Sequence, residues 1–153
     1  MSIKKFNIRV YGILINENKQ VLVTDELIQG NKMTKFLGGG LEFGEGTIDC
    51  IKREFKEETN NEIKITEHFY TTDYFQVSAF DPDHQIISIY YIVEPVSTFN
   101  ITTKEKIFDF DDHESDAQVF RWIHLKMISE NDFTLPIDKI VGKMLNENYK
   151  KSH

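Results

Sequence analysis

One cysteine, Cys50, is all that the chain carries in 153 residues, which excludes an internal disulfide and a cysteine-built zinc site. Proline is scarce, at three, and glycine stands at eight, so collagen-like and low-complexity classes are excluded too. No apolar run approaches the ~18 residues that a membrane-spanning helix needs. Residues 1–16 carry positive charge, but Asn7 and Arg9 break their apolar stretch, which makes a poor signal peptide. A cytoplasmic location is therefore expected. A surplus of basic residues is also missing. The formal net charge is −7, whereas a general nucleic-acid or anionic-membrane surface would need a basic patch. Neither partner is expected. The same charge would repel a polyphosphate unless cations stood between the two.

What is present suits a folded α/β protein. Charged residues make up 28% and aromatics 12%, and the length is that of one domain with a core of its own. No repeat or linker is visible, so a single domain over residues 1–153 is expected. Residues 6–15 alternate and are rich in β-branched and aromatic types, as a strand requires; residues 20–24 return after a turn cluster at 16–19. Residues 25–35 read as an exposed loop. Strands are expected at 62–65, 69–80 and 85–93, the last apolar enough to be central and buried on both faces. Residues 98–106 read as irregular, residues 109–116 as an acidic loop, and Gln118–His124 as a last strand. A polar turn within 128–133 precedes a helix over 136–149, with Pro136 in its first turn.

The chemistry concentrates between Gly38 and Asn61. Three glycines (Gly38, Gly39, Gly40) lead through a loop with Glu42 and Glu45 into a helical pattern over Thr47–Thr59. At ~100° per residue, Ile48, Ile51 and Phe55 share one stripe. Glu54, Glu57 and Glu58 fall beside it, and Lys52 and Lys56 point away. Thr47 is the expected N-cap, with Asp49 in the first turn. Carboxylates spaced at i, i+3 and i+4 repel one another, and only Arg53, which can reach Glu57, lies near. For an arbitrary helix a solvated acidic face is the commoner meaning. A bound cation would offset the repulsion, and hard oxygen ligands suit Mg²⁺ or Mn²⁺. Arg9 and Tyr11, two apart on one strand face, are candidates to hold a phosphate and to stack on a base. An edge arginine and a half-buried tyrosine are the commoner roles. Cys50 reads as an inert small residue. The five histidines, His68, His84, His113, His124 and His153, form no pair at metal-ligand spacing.

The order Gly39, five residues, Glu45, seven residues, Arg53-Glu54-Phe55-x-Glu57-Glu58 resembles the Nudix box, the signature of the Nudix hydrolase superfamily. Two positions depart from it. Asn60 stands where the pattern closes on glycine, and Asn61 where it has an apolar residue; Leu37 replaces a proline common before the glycines. Asparagine tolerates the left-handed conformation of a helix C-cap, so the turn is expected to survive. The loss of the apolar position should weaken packing after the helix more than it affects chemistry.

The resemblance implies a Nudix-type α/β/α sandwich with a mixed β-sheet, and metal-dependent hydrolysis of a pyrophosphate bond in a nucleoside diphosphate derivative. It implies that Glu54, Glu57 and Glu58 hold the metal, Mg²⁺ or Mn²⁺, with the Gly38 carbonyl as a further ligand. Arg53 would orient carboxylates through Glu57 and Glu45. The base that activates water is Glu54 or, from the distal acidic loop, Glu114, which is also a metal-ligand candidate; Glu54 is favoured. Gly39 and Gly40, with Arg9 and Tyr11, would line the substrate. A small nucleotide is the implied partner, and a homodimer is left open. A nucleoside triphosphate, a dinucleoside polyphosphate and a nucleotide sugar all remain open; the Gly-Pro pair of the ADP-ribose branch is absent, since the proline in that region, Pro82, follows Asp81. Tyr70, Tyr74, Phe75, Tyr90 and Tyr91 offer stacking rings, although aromatic strand residues are more often core. The alternative is a catalytically silent Nudix-like domain that binds a nucleotide. The complete set Arg53, Glu54, Glu57 and Glu58 favours the enzyme.

Overall fold

A computed structural model describes residues 2–111 and 116–153. Four strands come first: β1 (Lys5–Leu14), β2 (Gln20–Ile28), β3 (Asn31–Lys35) and β4 (Leu37–Gly40). Helix α1 (Thr47–Thr59) follows, then β5 (Ile63–Thr71), β6 (His84–Pro95) and β7 (Gln118–His124). A short 3-10 turn (Glu130–Asp132) leads to α2 (Pro136–Ser152). Two compact units divide the chain: residues up to Ile13 with Leu37–Asn100, and Leu14–Phe36 with Ile101–His153.

The first unit is built on a sheet ordered β4-β1-β6-β5. Antiparallel pairing sets Arg9 opposite Gly40, Val10 opposite Gly39 and Tyr11 opposite Gly38. Helix α1 packs on this sheet through Cys50, Ile51 and Phe55, all fully buried. Gly12 makes that approach possible: a Cβ there would lie 2.5 Å from Phe55 Cε1, closer than any side chain tolerates. Ile48, expected on the buried stripe, is 44% exposed. It belongs to the first turn, which rises out of a solvent-exposed loop, and Cys50 takes the inward place instead.

The start of the helix departs from expectation, whereas its C-cap keeps to it. Gly46, not Thr47, is the N-cap; its N–H donates to the Asp49 carboxylate at 3.0 Å. The Thr47 hydroxyl is engaged elsewhere, 2.6 Å from the Tyr91 hydroxyl on β6. At the other end Asn60 takes the left-handed conformation (φ 57, ψ 27), and its N–H donates to Lys56 O at 3.0 Å. Asn61 replaces apolar packing with hydrogen bonds. Its side-chain amide donates to Thr59 O and to Asn100 O, each at 2.8 Å, and accepts from Asn100 N at 3.1 Å. A polar clip thus ties the helix end to the segment after β6.

The strand expected over 69–80 stops at Thr71. β5 is already irregular, with register shifts between Ile65 and Glu67 and between His68 and Tyr70. After it the chain turns, tied back by Thr72 N to Ser88 O at 3.0 Å and Ile86 N to Gln76 O at 2.8 Å. β6 is central, between β1 and β5, but along it Ser88, Tyr90 and Val93 are buried while Ile89 and Tyr91 are only half-buried.

The second unit holds the antiparallel sheet β3-β2-β7. Residues 25–35, expected as an exposed loop, are instead the end of β2 and all of β3, with Asp25 fully buried and Lys35 6% exposed. Their charges are paired across strands. Arg121 donates twice to Asp25, Nε to Oδ2 at 2.5 Å and Nη2 to Oδ1 at 2.9 Å; Thr34 Oγ1 adds a third bond at 2.7 Å. Lys35 Nζ lies 3.1 Å from Glu26 Oε2. Buried charge is tolerated when its hydrogen bonds are satisfied. The turn shrinks to Gln29 and Gly30, both at positive φ (51 and 79), as two-residue hairpin turns require. α2 starts at Pro136 and buries Ile137, Val141 and Leu145.

Candidate active site

The acidic loop between β4 and α1 is organised by one guanidinium. Arg53, on the second turn of α1, donates Nε to Glu45 Oε2 at 3.0 Å and Nη2 to Glu45 Oε1 at 2.7 Å. This is the two-bond geometry that only arginine offers a carboxylate. Its Nη1 reaches Glu54 Oε1 at 3.0 Å and Glu57 Oε2 at 3.2 Å. Its Nη2 also donates to the Gly40 carbonyl at 3.2 Å. Loop, strand end and helix are joined at this point. Glu45 in turn accepts from the backbone N–H of Glu42 at 3.0 Å.

Electrostatics follow from that grip. The hydrogen bonds from Arg53 hold the Glu45 carboxyl down at about 2, well below its ordinary 4.5, with the Glu42 backbone bond second. The hydrogen bonds to Glu45 first, and then to Glu54, push Arg53 further up, and it stays charged. Burial raises the Cys50 thiol to about 12, and its Sγ lies 3.6 Å from Gly40 O. Cys50 is an unreactive filler.

Glu54 lies in a cradle. A Cβ on Gly39 would meet Glu54 Oε1 at 2.4 Å and Cδ at 2.6 Å, so the carboxylate rests against the glycine backbone with 15% of its side chain exposed. Glu57 is open, at 59%, and Glu58 is intermediate. Gly38, the expected carbonyl ligand, is buried opposite Tyr11. Among the described residues, no group of three or more histidine, cysteine, aspartate or glutamate side chains stands ready to hold a metal. Arg53 draws Glu54 and Glu57 to itself. Glu114, the expectation from the distal loop, lies outside the described residues.

On β1, Arg9 Nε donates to the Tyr11 hydroxyl at 2.7 Å. Tyr11 is 3% exposed and stacks on Tyr90 of β6, with centroids 5.1 Å apart and planes at 27°. The Tyr11 ring is therefore taken up by the sheet. Tyr70 donates to Asp73 at 3.0 Å, and burial first, then that bond, lifts its hydroxyl to about 12. Of the expected stacking rings, Tyr74 and Phe75 are exposed. Phe43 was not singled out by the sequence, yet it stands fully in solvent within the loop that carries Glu42 and Glu45. Its one signal is an aromatic between a glutamate and a glycine in a turn.

The chain belongs to the NUDIX family: the family's NUDIX domain matches residues 5–142. It is a hydrolase of that family, whose reaction is cleavage of a pyrophosphate linkage in small nucleoside diphosphate derivatives. No curated protein matches the chain. Among solved structures, a NUDIX hydrolase from Nitrosomonas europaea is 17% identical with a TM-score of 0.66, over 95% of this chain and 89% of its own. A MutT protein from Methanosarcina mazei is 16% identical at 0.65, over 97% and 96%. An ADP-ribose pyrophosphatase from Streptococcus suis is 12% identical at 0.58, over 96% and 92%. At such identities the likeness concerns the fold: the expected Nudix-type α/β arrangement of mixed sheet and two helices. No helix among the described residues is long and apolar enough to cross a membrane.

Proposed function

We propose that the chain acts as a single Nudix domain that hydrolyses the pyrophosphate bond of a nucleoside triphosphate, a dinucleoside polyphosphate or a nucleotide sugar with the help of Mg²⁺ or Mn²⁺. What supports this reading above all is the contact of one arginine with three box carboxylates, Glu45, Glu54 and Glu57. The donor set fits a hard divalent ion. Glu54, Glu57 and Glu58 offer carboxylate oxygens on neighbouring turns, and Gly39, with no side chain, leaves room for the Glu54 carboxylate to rest against the strand. The Gly38 carbonyl would complete the set. Held there, a divalent ion would supply charge neutralisation on the phosphates and a position for an in-line water.

The chain's own residues do the rest. Glu45 fixes Arg53, and Arg53 sets the carboxylates of Glu54 and Glu57. Glu54 accepts the proton of the attacking water as the water oxygen bonds to phosphorus and the anhydride P–O bond breaks. Glu114 is the second candidate for that proton. Gly39 and Gly40, without side chains, let substrate phosphate come close to the backbone, and Arg9 supplies positive charge beside Gly40. A panel of nucleoside diphosphate derivatives with Mg²⁺ and phosphate readout tests the proposal. Turnover of one class, abolished by chelation, is the expected result; binding without turnover of any member would make the chain a silent nucleotide-binding domain.

A further inference from the structure

Arg53 is engaged with the box carboxylates, and β1 carries a second guanidinium close to the same loop. Arg9 faces Gly40 across the β1–β4 pair, and its Nη1 lies 3.7 Å from the place that a Cβ on Gly40 would occupy. Arg53 meets the carbonyl of the same glycine at 3.2 Å. Gly40 is thus flanked by two guanidiniums, one holding the box and one on the opposite strand. Arginine side chains lose much rotamer freedom when fixed, and here the cost is met before any ligand arrives: Tyr11 Oη accepts from Arg9 Nε at 2.7 Å. Tyr11 is itself held, 3% exposed and stacked at 5.1 Å on the fully buried Tyr90.

From this geometry we infer that Tyr11 is a positioning residue which, through Arg9, sets a guanidinium to receive a phosphate of the substrate beside Gly40. The inference rests on the hydrolase reading above. It also moves Tyr11 from ring stacking to a hydroxyl role, and leaves the base to another surface.

The test uses methylenediphosphonate, which cannot be hydrolysed, as the probe in calorimetric titrations with Mg²⁺. Arg9→Ala should weaken binding about tenfold or more, since a hydrogen bond to a charged group is worth roughly a factor of ten or more. Tyr11→Phe, which keeps the ring and its stack, should weaken it severalfold with little change in Tm. The double variant should bind no worse than Arg9→Ala alone, because Tyr11 acts only through Arg9. With a substrate from the panel, the losses should fall mainly on KM rather than kcat. Additive losses, an unchanged affinity in Arg9→Ala, or a Tyr11→Phe variant that loses Tm and no affinity would overturn the inference. Failure of the hydrolase reading is separable: the wild-type chain would then hydrolyse no member of the panel, whatever these affinities.

Discussion

Arg53 holds Glu45 by two parallel hydrogen bonds of 3.0 and 2.7 Å, eight residues apart in sequence and on opposite sides of the loop–helix junction. A lysine cannot reproduce that fork. Arg53→Lys should therefore lower turnover about ten- to a hundredfold, the usual effect of losing a partner that orients site ligands. Glu45→Gln should cost less, because an amide oxygen still accepts one bond. Steady-state kinetics on the best substrate of the panel check both, and equal losses for the two variants would contradict the order.

Acid should loosen this junction late. Glu45 titrates near 2 in the folded chain against an ordinary 4.5. A depressed carboxyl adds stability that is fully present above 4.5 and is lost as pH falls towards 2. Urea midpoints of the wild type and Glu45→Gln should differ most above pH 4.5 and converge near pH 2. A gap that persists unchanged to pH 2 would assign the effect to packing instead.

Gly39 separates function from stability. A Cβ there would strike the end of the Glu54 side chain at 2.4 Å, and a flexible carboxylate yields more easily than a backbone. Gly39→Ala should keep the wild-type Tm to within a few degrees and lose about a hundredfold in turnover, the scale of a ~1 Å misplacement of a reacting group. A folded, fully active variant would remove Glu54 from the reaction.

The helix end offers a purely structural test. Asn60 is left-handed at φ 57, a conformation that costs other L residues about 1 kcal/mol or more. Asn60→Ala should destabilise by about that amount and Asn60→Gly should not. Asn61→Leu should lose about 1–3 kcal/mol with its hydrogen bonds to Thr59 and Asn100, even though leucine restores the family's apolar type. Chemical denaturation measures all three.

Part of the molecule could be read from the residues. The helix Thr47–Thr59 and the strand Gln118–His124 match their expected bounds, because an apolar stripe and a short run rich in β-branched and aromatic residues are local signals. Asn60 could be anticipated from its tolerance of positive φ. Residues 25–35 could not, since Asp25 and Lys35 look like surface charges until Arg121 and Glu26 are seen across the strands. The cradle of Gly39 around Glu54 and the clip of Asn61 on Asn100 also join positions distant along the chain. Arg53 reaching Glu57 was visible as an i, i+4 pair; its hold on Glu45 was only implied by the resemblance.

The most direct measurement is the Mg²⁺ dependence of hydrolysis for the wild type and Glu57→Gln, on whichever panel member turns over. Glu57 is exposed at 59% of its side chain, so the amide should leave the fold and Tm intact. Turnover should fall on the order of a hundredfold to a thousandfold, with half-saturation moved to higher Mg²⁺. Full activity in Glu57→Gln at the wild-type Mg²⁺ requirement would contradict the proposal that these box carboxylates hold the catalytic ion.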